Sequence, residues 1–254
     1  MLLKTIQWNI GGGKIRKPDD SAEGPYSENG LEQIESVLKK YQPDLVFLQE
    51  THSDTRNTQT EIIAKSIGLP NLRNDTYDRS HLEDDQELGQ AIISRWPISE
   101  HNFELFTNPH FQITGQNGEI WTSNNKGVSK CLINLGVGQE IQVATLHLIP
   151  FRRFGINPLE DQFETLRENI SSLARPSKTT FLLQGDFNFN ETSLEQFLPG
   201  LLNQNISEVL LDKPTTPKGR KYDHIIFRDI KHIKSEVITD VLTDHFPVYS
   251  EFEI

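Results

Sequence analysis

The chain reads as a layered α/β fold, and two observations carry that expectation. Short apolar runs of the kind that form buried strands recur from end to end, with two or three stretches of helical periodicity between them. No linker-like stretch or internal repeat divides the 254 residues, so one domain over 1–254 is expected, at a length that suits a large two-sheet fold.

The elements follow in order. Residues 2–8 read as a strand. Leu31, Ile34, Val37, Leu38 and Tyr41 recur at helical spacing, and Pro43 ends that helix. Residues 45–48 form a buried strand that delivers Glu50. A second helix is expected over 58–67, stopped by Gly68 and Pro70, and a polar loop over 71–89 leads to a strand at 91–93. The middle is rich in strands, at 102–107, 111–114, 120–123, 128–135 and 141–147, with turns at 115–118 and 136–138. Phe163, Leu166, Ile170 and Leu173 give 158–175 the apolar stripe of a helix. A buried strand at 179–183 ends in Gly185-Asp186, and strands at 222–227, 233–238 and 247–252 complete the sheets.

Composition narrows the function. With 35% hydrophobic and 24% charged residues the chain can bury a core and is not a disordered segment. A net charge of −11 argues against passive adhesion to nucleic acid or anionic membrane, which Lys and Arg dominate. It leaves room for a phosphate substrate at a site with its own cations. The acid is concentrated in 19–35 and 75–87, whereas basic residues cluster at Arg152-Arg153 and Lys218-Gly219-Arg220-Lys221. The lone Cys131 has no internal partner, which fits a reducing compartment. No secretory leader and no apolar run long enough to span a bilayer is expected. The resulting expectation is a cytoplasmic protein with no membrane insertion and no obligatory protein partner.

Six polar motifs stand at the exits of apolar runs. They are Ile6-Gln7-Trp8-Asn9, Leu48-Gln49-Glu50, Thr145-Leu146-His147-Leu148, Gln184-Gly185-Asp186-Phe187-Asn188, Tyr222-Asp223-His224-Ile225 and Thr243-Asp244-His245-Phe246. Polar groups at several strand ends converge on one site, and carboxylates, carboxamides and imidazoles suit a hard divalent cation and phosphate chemistry. Glu50, directly after an apolar strand, is the best direct ligand for such a cation, and Asn9 can hold a metal-bound water or a phosphate oxygen. Asp186 can orient or deprotonate a water, and Asn188 can donate to a developing oxyanion. His147 and His245 suit acid–base work or phosphate clamping, with Asp223 available to fix the tautomer of His245. Each motif alone has an ordinary structural reading, such as turn chemistry for the Asp–Asn pair. Their joint occurrence favours a site.

In this order and spacing, the six motifs resemble the endonuclease/exonuclease/phosphatase superfamily, typified by pancreatic-type deoxyribonuclease. The most specific pieces are Gly185-Asp186-Phe187-Asn188 and Asp244-His245-Phe246-Pro247, with Gln49-Glu50 and Ala91-Ile92-Ile93-Ser94-Arg95 in support. The resemblance implies a four-layer α/β/β/α sandwich of two packed mixed sheets, deoxyribonuclease-I-like. It implies Glu50 as main metal ligand, with Asn9 beside it and Asp244 near, for Mg²⁺ or Mn²⁺. It implies Asp186 and Asn188 as the water-activating and phosphate-binding pair, and His245 as catalytic histidine oriented by Asp223. His147 corresponds to a second, phosphate-contacting histidine, for which Glu87 is the candidate acidic partner. A histidine at 147, where base-excision nucleases of the superfamily carry other residues, argues against an abasic-site repair enzyme.

Substrate choice falls to loops. The segments 11–26, 149–158 and 214–221 are not accounted for by the resemblance and border the site. Phe151-Arg152-Arg153-Phe154 interleaves cations with aromatics, which suits base stacking beside a phosphate, although both Phe could equally tuck under a sheet edge. Lys218, Arg220 and Lys221 offer further phosphate contacts. The expected reaction is metal-dependent hydrolysis of a phosphodiester in a nucleic acid or nucleotide. A phosphatase acting on inositol phosphate or lipid head groups, or a silent binding module, fits the same core.

Overall fold

A computed structural model describes residues 1–115, 118–136, 138–202 and 205–254. The expected turns over 115–118 and 136–138 include residues 116, 117 and 137, which lie outside the described residues. In chain order the elements are β1 (Leu2–Asn9), β2 (Lys14–Arg16), β3 (Tyr26–Asn29), α1 (Leu31–Tyr41), β4 (Leu45–Ser53), α2 (Gln59–Ile67), β5 (Asn71–Arg79), β6 (Glu87–Ser94), β7 (Ile98–Leu105), β8 (Gln112–Thr114) and β9 (Ile120–Thr122). They continue with β10 (Gly127–Gly136), β11 (Gln139–His147), α3 (Glu164–Ala174), β12 (Phe181–Asp186), α4 (Leu194–Phe197), β13 (Ser207–Glu208), β14 (Asp223–Arg228), β15 (Lys231–Val237) and β16 (Val248–Glu253).

Two six-stranded mixed sheets form the centre. The first runs β15-β16-β1-β4-β6-β5 and the second β13-β14-β12-β11-β10-β7. Leu3, Phe47, Ile92, Val143, Leu182, Ile225 and Phe252 pack together between them. Ile34 and Leu38 of α1 and Ile63 of α2 cover the outer face of the first sheet. Leu166 and Ile170 of α3, with Leu194 and Phe197 of α4, cover that of the second. The result is the expected α/β/β/α layering.

Along each central strand the inward-facing residues change from apolar to polar. On β1 the inward series is Leu3, Thr5, Gln7, Asn9; on β4 it is Leu45, Phe47, Gln49; on β12 it is Leu182, Gln184, Asp186. Period-two alternation leaves Ile6, Trp8, Val46 and Leu48 for the helix side. The polar residues meet across the sheets. Gln184 Nε2 donates to Thr5 Oγ1 (2.7 Å), Gln49 Nε2 to Thr145 Oγ1 (2.8 Å), Gln90 Nε2 to Ser129 Oγ (2.7 Å) and Gln7 Nε2 to Asp223 Oδ1 (2.9 Å).

Two expectations are corrected. Residues 71–89 are not a loop throughout: β5 occupies 71–79 as the edge strand beside β6. One face of an edge strand meets solvent, so its polar residues hide it from an apolar-run criterion. The helix expected over 158–175 begins only at Glu164, after a 3₁₀ turn at Asp161–Phe163. The Arg167 guanidinium donates to the carbonyls of Pro158 and Glu160 and holds the preceding chain in a non-helical path. By contrast α2 starts where its capping box says: Thr58 Oγ1 accepts from Glu61 N (3.0 Å). Among the described residues, no helix is long and apolar enough to cross a membrane.

Gly185 lies on β12 opposite Leu146 of the parallel strand β11, where side-chain space is absent. A Cβ there would lie 2.3 Å from the backbone oxygen of Leu146. Gly185→Ala must therefore push β11 and β12 apart, and we expect a loss of about 3 kcal/mol or more in urea unfolding. Unchanged stability would show that the strands part easily at this row.

Candidate active site

Strand register assembles half of the site. β11 and β12 align His147 with Asp186, and β12 and β14 align Asp186 with Asp223. These side chains therefore lie in one row on the inward face of the second sheet. The first sheet supplies Asn9 at the end of β1, Glu50 on β4, and Asp244-His245 just ahead of β16.

Asp186 is at the centre. It is buried, and its Oδ2 accepts from Asn9 Nδ2 at 2.9 Å. The same oxygen stands 3.5 Å from Nε2 of His147 and 3.5 Å from Nε2 of His245. Oδ1 accepts from the backbone N of Asn188 at 2.8 Å, a turn that holds Asn188 at φ 50°. Asn tolerates that left-handed conformation better than most residues. Burial pushes the Asp186 carboxyl up to about 7, against the pull of His245. His245 behaves oppositely. Burial lowers it, but Asp223, Asp186 and Asp244 outweigh burial and hold it well above the ordinary histidine value. Its Nδ1–H donates to Asp223 Oδ2 at 2.9 Å, which leaves Nε2 facing the cleft.

His147 has a different environment from the one expected. Glu87 is exposed at the start of β6 and pairs in register with Ser53 and Arg79, far from acting as its partner. Instead the Tyr77 hydroxyl lies 3.1 Å and Lys126 Nζ 3.0 Å from His147 Nδ1. Lys126 can only donate and stands nearer Nδ1 than Nε2 (3.3 Å), and the Tyr77 hydroxyl can donate or accept. The tautomer with its proton on Nε2, facing Asp186 and Glu50 (3.7 Å), is therefore the one that suits Lys126 at Nδ1. Burial, then Lys126 and His245, hold this imidazole well below its usual value, so it is neutral. Tyr77 reaches it from a bulge in β5, between Thr76 and Asp78. Neither Tyr77 nor Lys126 ends an apolar run. Lys126 does directly precede Gly127 and the 128–135 strand, a placement that could have drawn attention.

Glu50 and Asp244 form a second acidic pair. Glu50 occupies a register shift in β4 and adopts φ 52°, a conformation that L residues with long side chains avoid. Burial pushes its carboxyl up, but Lys126, His81 and His245 together hold it below the usual range. Asp244 is pushed up to about 6, by burial first and then in part by Glu50. Its Oδ1 is buried with no hydrogen-bond partner among the described residues. Asp186, Asp223 and His245 also bring ligand-type atoms within 4.8 Å of one another. Within that group His245 Nδ1 and Asp223 Oδ2 share a 2.9 Å hydrogen bond and Asp186 Oδ2 accepts from Asn9. By contrast Asp244 Oδ1 has no partner among the described residues, and Glu50 Oε1 makes only long ion pairs (3.7 and 3.9 Å).

These groups border a cleft of about 780 Å³ whose wall includes Asn9, Glu50, Lys126, His147, Asp186, Asn188, Asp244 and His245. The basic residues singled out in the sequence divide. Arg153 lines this cleft with its guanidinium 4.4 Å from the ring centre of Trp121, a residue the sequence reading passed over. Arg152, Lys218 and Arg220 line a neighbouring hollow. Lys221 turns away and donates to the Leu211 carbonyl (2.6 Å). Phe151 is buried in the core, whereas Phe154 packs partly against it and also lines the cleft.

A family model described as Endonuclease/Exonuclease/phosphatase family matches residues 6–245, nearly the whole chain. The chain belongs to that family. No curated protein sequence matches this family member significantly. Similar solved structures include an endonuclease/exonuclease/phosphatase from Beutenbergia cavernae, 15% identical, covering 100% of this chain and 72% of that one with a TM-score of 0.73. A family protein from Leptotrichia buccalis is 15% identical and covers 99% of this chain and 100% of its own, with a TM-score of 0.69. D. rerio TDP2 complexed with single strand DNA product is 16% identical and covers 100% and 99%, with a TM-score of 0.61.

His224, beside the site row, carries a pH signature. Burial works against its charge, but Glu208 (2.6 Å from Nδ1) and the Phe189 carbonyl raise its value above the ordinary 6.5. A raised value means that the pair stabilises the fold fully below pH 6.5 and loses that contribution as pH climbs through the folded-state value. Glu208→Gln should therefore lower the melting temperature most at pH 5 to 6, with the gap to wild type narrowing at higher pH. A gap that widens with pH would refute the assignment.

Proposed function

We propose that this family member is a divalent-metal-dependent phosphodiesterase acting on a nucleic acid or nucleotide through attack of an activated water. The observation that carries this reading is the meeting of Asp186 with two histidines in opposite states, His147 neutral and His245 charged, beside carboxylates with oxygens to spare. The unpartnered Asp244 Oδ1 and an all-oxygen donor set of Glu50, Asp244 and Asn9 fit a hard cation such as Mg²⁺ or Mn²⁺. When bound, the ion supplies charge neutralisation at the phosphate and at the leaving alkoxide.

The remaining steps fall to the chain. Asp186, raised by burial to about 7, is a stronger base than an ordinary carboxylate and takes a proton from the attacking water. Asn9 holds one of its oxygens and so fixes the other toward the turn at Asn188. The water oxygen bonds to phosphorus as the ester oxygen departs. His245 lies only 3.5 Å from the same carboxylate, so it stands on the nucleophile's side. From there its imidazolium donates to a non-bridging oxygen rather than to the leaving group opposite. Asp223 keeps it charged and oriented. His147 Nε2–H and the free proton of the Asn188 carboxamide, whose other proton goes to the Leu148 carbonyl at 2.9 Å, complete the clamp.

The nucleotide preference rests on the Trp121–Arg153 pair in the cleft wall and on the single-stranded DNA product bound by the structurally similar TDP2. The test is hydrolysis of single- and double-stranded DNA, RNA, a phosphotyrosyl oligonucleotide, an inositol phosphate and sphingomyelin, with Mg²⁺ or chelator. We expect oligonucleotide cleavage that chelator abolishes and that Asp186→Ala and His245→Ala each reduce by about 10²-fold or more. Full activity in both variants would overturn the site. Turnover confined to the inositol phosphate or the lipid would overturn the substrate.

A further inference from the structure

Two hollows meet at the reaction centre. The larger holds the row of catalytic candidates, and the smaller, about 470 Å³, lies on the other side of Asp244 and His245. Tyr26, Asp244 and His245 line both, so they form the ridge between them. The 3₁₀ turn Phe151–Phe154 straddles this ridge: Arg153 faces the larger hollow and its chain neighbour Arg152 the smaller. A substrate that reacts at the ridge therefore has a built surface on either side.

The smaller hollow is cationic within a chain of net charge −11. Arg152, Lys218 and Arg220 line it, and among the described residues Glu23 is its only other charged wall apart from the Asp244–His245 ridge. Among the described residues, no carboxylate pairs with Arg152 or Arg220; only Lys218 has one, Glu23 at 3.1 Å, in an exposed pair. Exposed pairs of that kind are weak and yield readily to a competing anion. The two arginines converge: both oppose the upward push of burial on the Tyr222 hydroxyl, which lies on the same wall.

The hollow is also fixed relative to the chemistry. The backbone N–H groups of Thr215 and Thr216 donate to the Arg220 carbonyl (2.7 and 3.1 Å), and Arg220 N donates to Thr216 Oγ1 (3.0 Å). Thr215 Oγ1 accepts from Asp223 N (3.2 Å), and Phe246 N donates to the Thr215 carbonyl (2.7 Å). One buried threonine thus ties the Arg220 loop to the carboxylate that orients His245 and to the residue after His245. A phosphate held by Arg220 sits at a set distance from the reacting one.

Resting on the function proposed above, we infer that the smaller hollow is a second phosphate subsite. It takes the phosphate next to the scissile one in a single nucleic acid strand, through Arg152, Arg220 and Lys218. The strand crosses the ridge, with its other side along Trp121 and Arg153. Because the two arginines of the turn serve opposite sides, each governs a different part of the substrate. The hollow thereby selects for a chain of phosphates over an isolated ester.

Two measurements on Arg152→Gln/Arg220→Gln test this. The first is binding of a short oligothymidylate in chelator, where no turnover is needed. We expect about tenfold weaker binding than wild type. The slope of log K against log salt should be shallower by about 0.7, the share of the one single-strand phosphate contact that is lost. The second is kcat/KM with Mg²⁺ on the oligothymidylate and on bis(p-nitrophenyl) phosphate, which has no second phosphate. The variant should lose about tenfold more on the former than on the latter. Unchanged affinity and salt slope, or equal losses on both substrates, would overturn the subsite. A weakening seen for inositol trisphosphate but not for the oligonucleotide would overturn the strand. Weakened oligonucleotide binding in a protein that hydrolyses neither ester would keep the subsite and sink the catalytic reading.

Discussion

The structure depends on a layer of buried amides and hydroxyls that joins the two sheets at their functional end. Hydrophobic packing between sheets is non-directional and tolerates sliding, whereas a hydrogen bond fixes separation and register. The Gln7–Asp223, Gln49–Thr145, Gln90–Ser129 and Gln184–Thr5 bonds each cross from one sheet to the other. The site needs that constraint because neither sheet holds it alone. Asp186, Asp223 and His147 come from the second sheet, and Asn9, Glu50, Asp244 and His245 from the first. A slip of one residue on either side would exchange these groups for the apolar residues that face the helices.

The same layer sets the electrostatics. Desolvation raises buried carboxylates and lowers buried imidazoles, and here the neighbours decide which side wins. Asp223 keeps His245 charged although it is buried; its other oxygen is held by Gln7, so the orienting carboxylate is itself oriented from the opposite sheet. Lys126 acts in the reverse sense on His147. Buried and lowered to about 8 by desolvation, it still lies among Glu50 and Asp186, and it stands against the imidazole and adds to the burial that keeps that ring neutral. Two histidines at similar distance from one carboxylate thus hold different charges because their outer partners differ. Carboxylates in excess of these cations leave net negative oxygen in the cleft, the condition in which a divalent ion is best accommodated.

Most of this row was legible in the sequence because each residue adjoins an apolar run: His147 and Asp186 end β11 and β12, Asp223 begins β14, and Glu50 follows the apolar start of β4. Asp186, Asp223 and Glu50 stand out against apolar neighbours, and the fold needs no more than register to bring them together. The residues that escaped notice sit where that contrast fails. Tyr77 belongs to an edge strand whose polar residues read as a loop, and only a bulge turns it inward. Lys126 precedes its strand, and its burial depends on Tyr77 and His147 being in place. The reverse error occurs in loops, where sequence shows charge but not direction. Lys221 spends its ammonium on a local carbonyl, Phe151 is drawn into the core, and Glu87 faces solvent. Arg152 and Arg153 differ by one position and face opposite hollows.

That last division reconciles an acidic protein with an anionic substrate. At physiological ionic strength a surface charge is screened within about 8 Å, so acid elsewhere on the chain has little reach into the cleft. The cations an incoming phosphate meets are local: Arg153 and Lys126 among the carboxylates of the larger hollow, which suit a bound cation, and Arg152, Lys218 and Arg220 in the smaller. A uniformly basic face would bind any polyanion in any register. Cations confined to two hollows, with Asp244 and His245 between them, favour a chain whose phosphates fall on both hollows while an ester rests on the ridge. Specificity of this kind comes from spacing rather than total charge, and spacing is what the Thr215 anchor and the cross-sheet amides hold constant.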